Sequence, residues 1–246
     1  MLFLDNRLLK LAFNGNNESF KEVKTGIPQG SPISPILFLI YIRGLFTSNS
    51  VKYLSYIDDI SITTASTSYN RNIKVLEREV KRLIEVGKNN AILFDIAKTE
   101  LIHFTTAREA KRFSLTLPGD IEIRPKSLVK WLGIYFNRNL TFKEYVAIRA
   151  SQAKSAYLRI ARLANSERGL TPFALRQLYL ACIVSVADYG SIIWWRGQSS
   201  LIRPLQAIQN LAARKILGVF KTAPIAPIEV ELALPLVAIQ LNTNIR

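Results

Sequence analysis

Gly26-Ile-Pro-Gln-Gly-Ser-Pro-Ile-Ser-Pro35, followed by Tyr56-Ile57-Asp58-Asp59, decides the reading of this chain. The first stretch packs glycine and proline into a turn, and an apolar run from Ile36 to Ile42 follows it. Ser34 can cap the orphan amides of a helix, and Pro35 at its first position loses no hydrogen bond, so a helix is expected from Ser34-Pro35 to Gly44. Val51–Ser55 and Ile60–Thr64 flank Asp58-Asp59, which predicts a β-hairpin with the two acids at its tip. Neighbouring side chains on a strand point to opposite faces, so the two carboxylates are not equivalent. Asp58 is the expected metal ligand and Asp59 a secondary acid. An Asp-Asp pair alone is most often a solvated turn. Its weight comes from its place behind the Gly/Pro turn.

Upstream, residues 1–25 alternate weakly around Asn14-Gly15-Asn16-Asn17, as a hairpin or strand remnant would. Downstream, Ile73, Leu76, Val80 and Leu83 recur at helical spacing, and Gly87 is the expected end of that helix. Ile92–Phe94 and Glu100–Thr105 read as strands around Ala97-Lys98-Thr99. Leu115–Leu117 and Ile121–Ile123 read as a hairpin through Pro118-Gly119-Asp120, and Lys130–Phe136 as a further strand. Beyond Thr141 the pattern turns purely helical. Val146, Ala150, Ala153, Tyr157, Ile160 and Ala164 form one stripe. A second helix starts at Thr171-Pro172, is apolar nearly all round through Val186, and is expected to be buried. A third covers Leu201–Leu217, and the segment from Lys221 is proline-rich and loosely patterned. The fold class is therefore α+β, with a boundary near residue 140.

The net charge of +15 and pI near 10.1 call for a polyanionic partner, and nucleic acid fits better than a membrane surface. A merely soluble basic protein is the bland alternative. Arg149, Lys154, Arg159 and Arg162 spread around the polar arc of their helix, which suits either a solvated face or contact with a nucleic-acid backbone. The apolar run at Ile36–Ile42 is too short to cross a bilayer. One cysteine, Cys182, permits no disulfide or cysteine-based zinc site within the chain, and suits a reducing compartment, nuclear or cytoplasmic. The lone histidine, His103, reads as structural. Trp131, Trp194 and Trp195 read as core or interface rather than base-stacking platforms. The mean hydropathy of +0.14 is high for so basic a chain, which suggests apolar surface that something else covers.

Taken in order, these motifs resemble the reverse transcriptase of non-LTR (LINE-like, in particular Tad-like) retrotransposons. Gly26–Pro35 is similar to that family's template and nucleotide-pocket motif, with Pro28, Gln29, Gly30 and Ser31 at the pocket. Tyr56–Asp59 is similar to its catalytic hairpin. Phe94–Glu100 resembles the motif whose lysine, here Lys98, acts near the leaving pyrophosphate. Lys130-Trp-Leu-Gly-Ile134 resembles the primer grip, with Trp131, Leu132 and Gly133. Leu170–Tyr179 and Ala187-Asp-Tyr-Gly190 resemble the helical thumb.

The resemblance implies a connector remnant over 1–25 and a partial right-hand palm with an antiparallel sheet over 26–140. A helical thumb-like region over 141–220 and a Pro-rich tail over 221–246 follow. It also implies two Mg²⁺ ions, held by Asp58 and Asp59 with a further aspartate on an earlier strand. The partners it implies are an RNA template, a DNA primer and deoxynucleoside triphosphates. Before the Gly/Pro turn only Asp5, Glu18 and Glu22 are acidic, and Asp5 stands 21 residues ahead of Gly26. The family fills that interval with a strand, a long helix and a connector, so the first aspartate and the fingers are expected in an upstream segment outside this chain. Such a chain would not polymerise alone. The rival readings are a non-catalytic nucleic-acid-binding remnant or degenerate element product, and a related polymerase of intron-maturase or telomerase type. The helical region after Leu140 argues against the last.

Overall fold

The computed structural model describes residues 7–14, 16–17, 19–23, 26–164 and 169–244. Asp5 and Glu18 lie outside the described residues. The chain divides into two compact units, one formed by 1–99 and 112–124, the other by 100–111 and 125–246. The structure thus mixes helices with small antiparallel two-stranded sheets.

In the first unit, β1 (Arg7–Leu9) pairs with β4 (Lys21–Val23), and β2 (Ala12–Phe13) with β3 (Asn16–Asn17), which makes the expected upstream hairpin. Helix α1 spans Ser34–Ile42. Ser34 does not cap it: Ile33 holds that position, and the Ser34 hydroxyl donates to the Pro28 carbonyl at 2.6 Å. The preceding turn folds back on the helix start, so the hydroxyl meets that carbonyl instead of the helix amides. β5 (Lys52–Tyr56) and β6 (Asp59–Thr63) form the acid-tipped hairpin.

Helix α2 runs Tyr69–Asn89, capped by Ser68, whose side chain accepts from the Arg71 amide. It continues past Gly87. A Cβ at that position would lie 2.6 Å from the Phe94 ring and 3.1 Å from the Ile92 carbonyl, so glycine serves close packing here and not termination. Phe94 belongs with Ile92 to the cluster around Ile42, Leu45 and Leu83. The strands expected at Ile92–Phe94 and Glu100–Thr105 do not form. The first segment pairs with no strand, its Ile92 amide donating to the Gly87 carbonyl at 2.8 Å, Ile96–Lys98 is a 3₁₀ turn, and Leu101 makes only an isolated parallel bridge to Pro125. Packing of Phe94 into the α1–α2 cluster satisfies the apolar pattern that suggested a strand. β7 (Leu115–Leu117) and β8 (Ile121–Ile123) form the expected hairpin. It rests on α2, where the Glu77 carboxylate accepts from the Thr116 amide at 2.9 Å.

In the second unit the expected single strand at Lys130–Phe136 is a hairpin. β9 (Leu128–Trp131) pairs with β10 (Ile134–Asn137) through a two-residue turn at Leu132-Gly133. Both turn residues have positive φ, 48° and 79°, as a type I′ turn requires. Helix α3 (Lys143–Ile160) buries Tyr145 and four members of the stripe read from the sequence, Val146, Ala150, Ala153 and Tyr157, while Ile160 and Ala164 are only partly buried. Helix α4 (Pro172–Leu178), capped by Thr171, runs on through a π-helical stretch at Tyr179–Val184 into α5 (Ser185–Ala187). Only Leu175, Tyr179 and Ile183 of this rod are buried, while Phe173 and Cys182 are exposed, so its all-round apolarity does not mean all-round burial.

Helices α6 (Ser191–Trp194) and α7 (Ser199–Leu217) follow, the latter ended by Gly218 in the left-handed region. The segment from Lys221 is no loose tail. It forms α8 (Ile225–Glu231) and α9 (Val237–Thr243). Their residues Ile228, Val237 and Leu241, with Leu232 and Leu234 between them, enter the main core beside Trp194 and Trp195. At about 1.5–3 kcal/mol per buried aliphatic side chain, this docking is a large part of the unit's stability. Polar groups fix its register. Buried Gln209 donates to Glu229 at 2.9 Å and to the Pro235 carbonyl at 3.0 Å, and the Trp195 indole donates to Asn242 at 2.8 Å. Among the described residues no helix is long and apolar enough to cross a membrane.

Candidate functional site

The β5–β6 hairpin is held at its base and bare at its tip. Tyr53 and Ile62 are directly paired, and both pack against the Ile42–Leu45–Leu83 cluster. The Tyr53 hydroxyl donates to Glu79 at 2.5 Å. Arg82 binds the same carboxylate and the Leu45 carbonyl. Burial alone would raise the Glu79 carboxyl. Hydrogen bonds from Arg82 and Tyr53 outweigh that and hold it below the usual carboxylate range. The Tyr53 phenol is pushed up by burial and by the anion beside it.

Tyr56 pairs with Asp59, so Ile57 and Asp58 make a two-residue turn. Ile57 has φ 54°, a conformation that a β-branched residue rarely adopts. Tyr56, Ile57, Asp58 and Asp59 are all exposed. Alternation places Asp59 on the face opposite Tyr53 and Ile62, away from the packed cluster. The hairpin therefore presents two neighbouring carboxylates on a strained, solvent-facing turn whose stem is anchored to α2.

In the same unit the Gly26–Ser34 segment is a turn closed by the Ser34–Pro28 hydrogen bond, with the Ser34 amide donating to Ser31 at 3.2 Å. Gln29 and Gly30 are exposed, and Pro28 and Ser31 are half-buried. Gly30 has φ 88°, and a Cβ there would meet open space. Backbone conformation demands glycine at this position, and the open side leaves its backbone approachable. Lys98 ends the Ile96–Lys98 turn, which Asp95 caps by accepting from the Ala97 amide at 3.1 Å. Its ammonium lies 3.3 Å from Asp95, with the side chain 84 % exposed. Such a pair contributes little stability and leaves the ammonium available.

Trp131, Leu132 and Gly133 belong to the second unit. There the Ala187-Asp-Tyr-Gly190 segment holds their hairpin. The Tyr189 hydroxyl donates to the Leu132 carbonyl at 3.0 Å, and a Cβ on Gly133 would lie 3.3 Å from the Tyr189 ring. Gly190, at φ 68°, sits so close to Ile134 that a Cβ would come within 2.7 Å of its terminal methyl. The Tyr189 carbonyl accepts from the Tyr145 hydroxyl at 2.8 Å and from the Trp194 indole at 3.1 Å. The Arg149 guanidinium lies 4.3 Å from the centre of the Tyr189 ring and also bonds Tyr145. Arg149 is thus built into this corner and is not a free surface cation. Asp188 is buried and accepts from Gln240 at 2.5 Å and Asn244 at 3.0 Å. Burial pushes its carboxyl up, and these two bonds offset that only in part.

This latch was not legible as such. The motif Ala187–Gly190 could be picked out, but the touch of Tyr189 on Leu132 spans 57 residues. Trp194 and Trp195 are core residues, as expected, and edge-packed on each other. His103 lies on no strand. Among the described residues no three His, Cys, Asp or Glu side chains cluster as a metal site would need, so Asp58 and Asp59 offer a divalent cation an incomplete ligand set.

The chain belongs to the reverse transcriptase (RNA-dependent DNA polymerase) family, whose model matches residues 2–136. It is similar to proteins of non-LTR, LINE-like elements. It is 24 % identical over 225 residues to the probable RNA-directed DNA polymerase from transposon BS of Drosophila melanogaster, covering 87 % of this chain and 24 % of that protein. It is 23 % identical over 221 residues to the probable RNA-directed DNA polymerase from transposon X-element of the same species, covering 88 % and 24 %. The RNA-directed DNA polymerase from mobile element jockey, also of Drosophila melanogaster, is 22 % identical over 224 residues, with the same coverage. The chain therefore spans about a quarter of the length of these curated relatives. No solved structure matches it.

Proposed function

We propose that this chain supplies the nucleotide-pocket turn, the catalytic hairpin and the thumb of an RNA-directed DNA polymerase of a non-LTR retrotransposon. The observation that carries this reading is the exposed Asp58-Asp59 tip on an anchored hairpin, within the residues that match the family. Residues 26–140 then act as part of a palm and 141–220 as a thumb, with the fingers contributed from outside the described residues.

In the complete polymerase a primer 3′-hydroxyl attacks the α-phosphorus of a deoxynucleoside triphosphate and pyrophosphate leaves. Magnesium, when bound, lowers the pKa of the attacking hydroxyl and offsets charge on the leaving oxygen. Asp58 is the residue to hold it, with Asp59 as a secondary acid. The Pro28–Ser31 turn lies along the nucleotide and template, where Gln29 offers both donor and acceptor and Gly30 lets a backbone come close. Lys98 brings a cation to the departing pyrophosphate. Trp131, Leu132 and Gly133 steady the primer terminus. The net charge of +15 draws in the RNA template and DNA primer. Work on these substrates calls for a nuclear or cytoplasmic location.

With only two carboxylates gathered, the chain by itself is expected to extend no primer. Primer extension with Mg²⁺, beside an Asp58→Ala control, tests this. Robust synthesis abolished by that substitution overturns the inactivity and proves the enzyme. Titration with a recessed RNA–DNA duplex tests the binding half. Affinity should drop steeply from low to moderate salt, and a flat response refutes backbone binding.

A further inference from the structure

Helices α3 and α7 pack together and leave a groove between them of about 680 Å³. Its volume falls within the range of ligand-sized clefts. The floor is apolar: Ile208 is buried at its base, and Leu211 and Val219 stand half-exposed along it. The rim is cationic. Lys154 comes from α3, Lys215 from the last turn of α7, and Lys221 from just beyond it, and all three are exposed. None of them has an ion-pair partner among the described residues, and none of the residues lining the groove is acidic. In a surface with interspersed charges, an apolar trough edged on both sides by unpaired cations is a selective arrangement.

We infer that this groove is the docking site of an acidic amphipathic helix from a protein partner. A groove between two packed helices accepts the ridge of a third. Apolar residues at i, i+3, i+4 and i+7 of such a helix would cover Ile208, Leu211 and Val219, and carboxylates on its flanks would meet Lys154 on one side and Lys215 and Lys221 on the other. A nucleic-acid backbone satisfies the rim but not the floor. Phosphates set against Leu211 and Val219 would lose water and gain no donor.

The test uses the full chain and fluorescein-labelled probes read by anisotropy. The first probe is a designed leucine–glutamate helix of about 18 residues, ~27 Å long, with leucines at the stated spacing. Its controls are a scrambled peptide of equal composition, a leucine–lysine version, and a recessed RNA–DNA duplex. The acidic amphipathic peptide should bind in the micromolar range, at least about tenfold tighter than either peptide control. Leu211→Glu should weaken it about tenfold or more, and Lys154→Glu with Lys215→Glu should do likewise while improving the leucine–lysine peptide. Leu211 is partly exposed, so its variant is expected to keep its circular dichroism and melting temperature. A second variant, Val219→Glu, reports on the same floor if Leu211→Glu fails to fold. Equal binding of all peptides, or unchanged binding by both floor variants, overturns the assignment. So does an RNA–DNA duplex that displaces the peptide and itself loses affinity on Leu211→Glu, which would give the groove to nucleic acid.

Discussion

Gly190→Ala adds one methyl group and should destabilise the second unit well beyond what that small change suggests. Two costs combine. An alanine at φ 68° carries the left-handed penalty, about 1–2 kcal/mol. Its Cβ would also lie 2.7 Å from the Ile134 terminal methyl, 3.2 Å from the next Ile134 carbon and 3.5 Å from the Tyr145 hydroxyl. Ile134 is only 5 % exposed and Tyr145 1 %, so neither can swing into solvent, and overpacking of this kind costs about 1–3 kcal/mol. The sum is about 2–5 kcal/mol, which for a unit of this size lowers the melting temperature by roughly 6–15 °C. A double-mutant cycle separates the two parts. Ile134→Val alone should cost about 0.5–1.5 kcal/mol, because it opens a small void. In the Gly190→Ala background it removes the clashing methyl and should be neutral or stabilising, a coupling of at least about 0.5 kcal/mol. Thermal melts followed by far-UV circular dichroism, with hydrogen exchange over residues 128–137, give the readout. Additive costs, or a Gly190→Ala shift below about 2 °C, would refute the claim that Gly190 is selected by its contact with the hairpin.

Tyr189→Phe removes only the hydroxyl on the Leu132 carbonyl, a partly exposed bond worth about 0.5–1.5 kcal/mol. Amide exchange should speed up in Leu128–Asn137 and stay unchanged in α3; equal effects in both would show a global and not a local role. Asp188 has its folded pKa raised by burial, so the folded chain binds its proton more tightly than the unfolded chain does. Stability is then lost as pH rises from the ordinary aspartate range through the raised value. Asp188→Asn can keep both acceptor bonds, so its melting temperature should exceed that of the native protein at pH 7 and the gap should close near pH 4; parallel melting curves across that range would contradict this. Gly87→Ala puts a Cβ 2.6 Å from the Phe94 ring and should cost about 1–3 kcal/mol in the first unit, measured by urea unfolding. A neutral result there would mean that Phe94 moves aside freely.

Local signals carried far along this chain. The β-rich runs Val51–Ser55 and Ile60–Thr64 on either side of Tyr56–Asp59 were enough to place the acids at a hairpin tip, because strand pairing and turns are set by neighbouring residues. The stripe on α3 was legible for the same reason. What failed were inferences that needed to know what lay opposite. Ile92–Phe94 has the composition of a strand, yet its phenylalanine fills a gap that Gly87 leaves on α2. Ser34 has the chemistry of a cap, and a carbonyl six residues back took its hydroxyl. The proline-rich end looked loose because Pro224, Pro227 and Pro235 break its periodicity, while α8, which contains Pro227, and α9, which follows Pro235, complete the core.

The sequence by itself determined the family, the order of its motifs and the residues that display the paired carboxylates, since each of these is a property of contiguous residues. Tertiary structure alone decided that Tyr189 and Gly190 grip the Leu132-Gly133 turn, that Arg149 is spent within that grip, and that α3 and α7 enclose a cation-rimmed apolar groove. Those features arise from side chains tens of residues apart, and only packing brings such groups within the few ångströms over which hydrogen bonds and dispersion act.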